Sequence, residues 1–175
     1  LGDSIVKRID AHAVLNSPIT RINSPEAKVR VESISGAGIQ EIYERAQDLS
    51  EQYRTKKIIL HAGANHIPKV SPRSLSFSII RLIEGIQALF PPTDIFYSAI
   101  LPKKSVSWNT GINQVNKHLY ECSRMLDYNY IPHPRFCQKS VVNTSFFIAD
   151  RVHPSPQGTL QLQNDFSWAI RDLSL

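Results

Sequence analysis

The sequence predicts an α/β fold, a single domain built on a mostly parallel sheet covered by helices on both faces. Two observations predict it. Short apolar runs rich in β-branched residues alternate with longer stretches of helical period, and glycine-containing breakers follow the apolar runs. Such alternation implies βαβ units, whose crossovers place helices over the sheet. The 175 residues suffice for one full hydrophobic core, and no internal repeat, linker or low-complexity tract divides them.

The elements follow in order. Val29-Arg30-Val31-Glu32-Ser33-Ile34 alternates as a short strand does. From Ile39 to Tyr53, residues Ile39, Ile42, Tyr43, Ala46 and Leu49 fall at helical spacing. Lys57-Ile58-Ile59-Leu60-His61 reads as a buried strand, ended by Ala62-Gly63-Ala64-Asn65. Ser71-Pro72 predicts an N-cap with proline in the first turn of a helix running to about Leu89, before Pro91-Pro92. Residues 94–100 form the next predicted strand, closed by Pro102. A helix over about 110–126 would turn Ile112, Val115, Leu119 and Cys122 inward. Tyr128 to Ile131 is a short final strand, and 156–173 a terminal helix.

Composition bounds the partners. With 42% hydrophobic and 20% charged residues the chain is globular, and no apolar run approaches the about 20 residues that span a bilayer. Two cysteines, Cys122 and Cys137, suggest neither a disulfide framework nor a metal site, so a reducing, intracellular setting, cytoplasmic above all, is expected. The net charge of +5 favours acidic partners weakly, because Lys7, Arg8, Arg21, Lys28 and Arg30 are scattered.

In parallel sheets the working site lies beyond the carboxyl ends of the strands. Gly2-Asp3-Ser4, Ser35-Gly36-Ala37-Gly38 and Gly63-Ala64-Asn65 each follow a predicted strand and should gather at one end. Ser4 then implies that Leu1 ends an interior strand whose earlier part lies outside the chain, which reads as a fragment of a longer protein. A serine hydroxyl is a poor nucleophile until a base takes its proton. The candidate base is His153, and Asp150, three residues earlier, is placed to accept from its Nδ1–H. Donors for a developing oxyanion would come from the Ser4 amide, a glycine amide of residues 35–38, and the Asn65 side chain. Each residue has a plainer reading: Ser4 as a turn or cap, Asn65 as a turn residue, His153 as a loop histidine.

Gly-Asp-Ser, a glycine after the second strand, Gly-x-Asn after the third and Asp-x-x-His near the end resemble, in that order, the four blocks of the SGNH (GDSL) esterases and lipases. The resemblance spans Gly2 to Gly158. It implies a three-layer α/β/α sandwich with about five parallel strands in flavodoxin-like order. It implies Ser4 as nucleophile, His153 as general base and acid, Asp150 as its orienting partner, and Ser4, Gly36 and Asn65 as the oxyanion hole. Gly38 competes with Gly36 for that role. No metal or organic cofactor is implied. The third block departs from the family's Gly-x-Asn-Asp, because His66 follows Asn65.

A narrower likeness links Gly2 to Val6, Ile59 to Asn65, Ser98 to Pro102 and Ile112 to Asn116 to esterase domains of LINE-type retrotransposon first-open-reading-frame proteins. It implies acyl or acetyl esters, lipids included, as substrates, contact with a membrane surface, and nucleic-acid association mainly through segments outside this chain. The competing class is a degenerate SGNH-fold module that binds lipid or nucleic acid. Outside the blocks, His12, His61, His66, His118 and His133 read as structural or solvent-facing. Trp108 and Trp168 read as packing residues, and Pro102-Lys103-Lys104 as a solvated basic turn.

Overall fold

Helix-forming and strand-forming stretches alternate along the chain, and the computed structural model describes residues 1–9, 28–67, 69–103, 106–138, 140–150 and 152–171. His12, Arg21 and Lys104 lie outside the described residues, as do the last residues of the expected terminal helix. Three strands form a parallel sheet in the order β1 (Lys57–Leu60), β2 (Asp94–Ser98), β3 (Asn129–Ile131). A short antiparallel pair, β4 (Cys137–Gln138) and β5 (Val141–Val142), stands apart. Among the described residues four α-helices accompany the strands: α1 (Ile39–Gln52), α2 (Pro72–Leu89), α3 (Val106–Ser123) and α4 (Pro156–Arg171).

The sheet has three strands among the described residues, where about five were expected. Among the described residues the run at 29–34 pairs at one point, through the parallel bridge between Gly2 and Ser33, and Gly2 also bridges in parallel to His61. Four backbone bonds hold this corner: Gly2 N to Glu32 O, Ile34 N to Gly2 O, His61 N to Leu1 O and Asp3 N to His61 O. Leu1-Gly2 therefore lies between the 32–34 segment and the extension of β1. The contact is close: a Cβ on Gly2 would collide with the His61 carbonyl, which is why glycine precedes Asp3 and Ser4.

Helix boundaries follow local chemistry. Ser71 caps α2, its Oγ accepting from the Ser74 amide at 3.1 Å, with Pro72 in the first turn. The helix α3 starts four residues before the expected Thr110. Asn109 and Asn116, one heptad apart on this helix, grip the chain that leaves β2. The Asn109 amide brackets the backbone N–H and C=O of Lys103, and Asn116 does the same for Ile100. The side-chain grip on Ile100 also ends β2 at Ser98, two residues before the expected end.

The core sits where apolar stripes meet. Ile42, Ala46 and Leu49 of α1, Leu75, Ile79, Ile83 and Ile86 of α2, and Ile112, Val115, Leu119 and Cys122 of α3 are buried. The helices α1 and α2 pack together, α3 packs on α2 and β3, and α4 packs on β3 and the 3₁₀ turn Thr144–Phe146. Trp108 is half-buried against the core, but Trp168 is 53% exposed and is not a packing residue. Its place in α4 puts it on the outer side of the apolar stripe formed by Leu162, Phe166 and Ala169.

Candidate active site

The turn after Gly2 carries the first candidate side chain. Asp3 is buried, and its Oδ1 accepts the Ile5 amide at 3.0 Å; the Asp3 carbonyl accepts the Val6 amide at 3.1 Å. These bonds wind the chain into the 3₁₀ turn Val6–Arg8 and leave half-buried Ser4 at its head. The Ser4 amide takes no part in them.

Residues 145–158 carry the second and third. A hairpin is closed at its base by the Phe147–Pro154 bridge and by Ile148 N to His153 O, 3.0 Å, and Ser155 N to Phe146 O, 2.8 Å. The Ser155 hydroxyl donates to Ser145 O at 2.8 Å and accepts the Gly158 amide at 3.1 Å, tying the hairpin to α4. At its tip Asp150 Oδ1 accepts the amides of Val152 and His153 at 2.8 and 3.0 Å, and Oδ2 lies 2.7 Å from His153 Nδ1. The other imidazole nitrogen, Nε2, lies 3.2 Å from Ser4 Oγ, across 149 residues of sequence. Arg8 adds a clamp between the two segments, its Nη1 donating to Pro154 O at 3.0 Å.

Partial burial pushes the Asp150 carboxyl up, but the hydrogen bonds from the His153 amide and imidazole and the Val152 amide outweigh it and bring it down to about 2. A lowered carboxylate contributes above its ordinary value of 3.8 and loses that contribution as pH falls through about 2. The Asp150–His153 contact therefore has an ionised acceptor at every pH above about 4.

Asn65 sits in the 3₁₀ turn Ala64–His66, entered through Gly63 at φ +101°, a conformation that only glycine holds without strain. The Asn65 Nδ2 donates to the Ala37 carbonyl at 2.9 Å and so joins the loop after β1 to the loop before α1. The second hydrogen of that amide nitrogen has no part in this bond. In the 35–38 loop the Gly38 amide is already held by Glu41 Oε2 at 3.0 Å, as the cap of α1. Gly36, exposed at φ +75°, is not so engaged.

Sequence reasoning missed the polar groups beneath these loops. Lys103 is buried rather than solvated, and its Nζ donates to Ala64 O at 2.7 Å, next to Asn65. Burial lowers its pKa, and the Asp3 charge opposes that shift. His61 and His133, expected to be structural or solvent-facing, are both buried and share Ser98: His61 Nδ1 lies 2.9 Å and His133 Nε2 2.8 Å from Ser98 Oγ. His133 Nδ1 lies 2.7 Å from Asp165 Oδ2 on α4. His66 is half-buried beside Gly38, and His118 meets Phe77 edge to face. Among the described residues no cluster of His, Cys, Asp or Glu is arranged to hold a metal, and no helix is long and apolar enough to cross a membrane.

Burial pushes the His61 imidazole down to about 4 from 6.5. Between those values the unfolded chain binds a proton that the folded chain does not, so stability rises with pH there. Unfolding free energy should fall by about 3 kcal/mol from this group as pH drops from 7 to 4. Urea titrations at several pH values should show that slope reduced in His61→Asn, and equal slopes would refute it.

No family model matches the chain, and no curated protein matches it in sequence. Solved structures do. A member of the lipolytic G-D-S-L family from Veillonella parvula is similar with a TM-score of 0.77 and 15% identity, over 99% of this chain and 95% of that one. A GDSL-like lipase from Bacteroides thetaiotaomicron gives 0.72 and 14%, over 97% and 84%. The lipase/acylhydrolase from Enterococcus faecalis gives 0.69 and 17%, over 97% and 92%. At these identities the likeness speaks to architecture: this chain has the α/β fold, with a parallel sheet and four helices, of GDSL lipases and acylhydrolases.

Proposed function

We propose that the chain is an SGNH-type serine esterase that hydrolyses acyl or acetyl esters, lipid esters among them, through an acyl-enzyme. One observation carries the reading: Ser4 Oγ, His153 and Asp150 stand in hydrogen-bonded line, at 3.2 and 2.7 Å. Asp150 accepts from Nδ1–H, which leaves Nε2 bare to take the Ser4 proton. Oγ then attacks the ester carbonyl, and its π electrons move onto oxygen. The amides of Ser4 and Gly36 and the Asn65 side chain stabilise that oxyanion. Collapse expels the alcohol, which takes the proton from Nε2–H and leaves Ser4 acylated. Nε2 next deprotonates a water, which attacks the acyl carbon, and Ser4 leaves with its proton restored. No cofactor enters these steps.

The scaffold of this reading is the three-layer, flavodoxin-like sandwich. The parallel bridges of Gly2 to Ser33 and to His61 support two further strand positions in it, in the order Ser33, Gly2, β1, β2, β3. The two cysteines are free, which supports a reducing, intracellular compartment. The likeness to retrotransposon esterase domains belongs to the same proposal, with nucleic acid bound chiefly by segments outside this chain. A binding module without catalysis would need no imidazole at hydrogen-bond distance from Ser4.

Acetyl, butyryl and longer p-nitrophenyl esters test the proposal, together with fluorophosphonate labelling located by mass spectrometry. Turnover with the label on Ser4 is expected; no turnover of any ester and no label on Ser4 would overturn it. Asn65→Ala removes one oxyanion donor and should lower kcat about 10²–10³-fold while the chain remains folded. Parent-like kcat in that variant would exclude Asn65 from the hole.

A further inference from the structure

The buried polar cluster contains a puzzle of supply and demand. Ser98 is fully buried and has one hydroxyl hydrogen for two imidazoles. Asp165 Oδ2 accepts from His133 Nδ1, and its Oδ1 accepts from Gln161 Nε2 at 2.7 Å. His133 Nε2 is then a bare acceptor that takes the Ser98 hydrogen. Ser98 Oγ must in turn accept from His61 Nδ1–H, which leaves His61 Nε2 bare. This ordering adds no charge to the interior. Donation runs in one direction, from the end of β1 through β2 and the loop after β3 to α4.

At the β1 end two acceptors stand without a donor. His61 Nε2 and Asp3 Oδ2 are both buried and both unpartnered. The two residues are neighbours, since the Asp3 amide donates to the His61 carbonyl at 3.4 Å. An orphaned acceptor in the interior is destabilising, so two of them on neighbouring residues call for a source of hydrogens. A single water has two hydrogens to give.

We propose that His61, Ser98, His133 and Asp165 are positioning residues for Ser4, acting as one ordered hydrogen-bond chain that reaches Asp3 through a buried water. Asp3 winds the turn that presents Ser4, so the chain ties the nucleophile's turn to α4, the helix that follows the His153 hairpin. Burial, which holds His61 neutral at pH 7, agrees with the ordering. The role assigned to Ser4 rests on the esterase reading; the hydrogen-bond order and the water do not.

Two readouts separate them. In histidine-15N-labelled protein at pH 7, both His61 and His133 should be Nδ1–H tautomers. A high-resolution crystal structure should show one water within hydrogen-bond distance of His61 Nε2 and Asp3 Oδ2. An Nε2–H tautomer at His61, or a dry gap there, would overturn the chain whether or not any ester is turned over. His61→Asn keeps a donor for Ser98 in place of Nδ1–H but removes the water-facing nitrogen. On an ester the parent hydrolyses, it should lower kcat about 10- to 100-fold with KM within about twofold. Unchanged kcat in the folded variant would refute the positioning role. Absence of turnover in the parent would refute the esterase reading and, with it, that role, leaving the tautomers and the water to decide the chain.

Discussion

Replacing Ser4 with alanine is expected to lower kcat on p-nitrophenyl acetate by about 10⁴- to 10⁶-fold, because it removes the hydroxyl that His153 Nε2 meets and that the proposed acyl-enzyme needs. The residual rate would come from the oxyanion donors and from binding alone. Ser4 is half-buried, and among the described residues its hydroxyl meets only His153 Nε2, so folding has little stake in it. The melting temperature should stay within about 3 °C of the parent's, which corresponds to roughly 1 kcal/mol for a chain of this size. A variant that hydrolyses the ester at the parent rate would remove Ser4 from the mechanism. A variant that is inactive because it is unfolded would be recognised by its lost thermal transition.

Asp150→Asn should cost about 10⁴-fold in kcat. Asparagine can keep the two backbone bonds, because its Oδ1 can still accept from the Val152 and His153 amides. The second contact inverts. The amide Nδ2 would now face His153 Nδ1 and donate to it, which drives the imidazole proton to Nε2. The base would then present a hydrogen to Ser4 instead of a lone pair. The hairpin is thus expected to keep its shape while its chemistry fails, and 15N shifts of His153 should report the switched tautomer. Parent-like kcat in Asp150→Asn would show that Asp150 does not set the imidazole.

Local chemistry was legible wherever a short signal sufficed. Ser71-Pro72 opened α2 and Pro91-Pro92 followed its end, because a cap and a breaker act within a few residues. Asp150 and His153 could be paired from spacing alone, since three residues on a turn bring carboxylate and imidazole together. Groups that meet across the sheet were not legible. Nothing local to His61, Ser98, His133 or Asp165 says that parallel register sets β1, β2 and the loop after β3 side by side. Lys103 failed for another reason: hydropathy assigns a lysine to water. Here Asn109 anchors its backbone, and the Ala64 carbonyl receives its ammonium in the interior. The strand at 29–34 failed because alternation reports a face to bury and not the length of the neighbour available for pairing.

The hairpin of residues 145–158 carries a further consequence. Among the described residues, the bonds that align Asp150 with His153 are internal to that segment, whereas its link to Ser4 runs through one imidazole contact and through Arg8 reaching Pro154. Lifting the tip of the hairpin away would withdraw the imidazole and its orienting carboxylate together, as a preassembled cartridge. Reseating it would return both groups to Ser4 with no change in their own geometry.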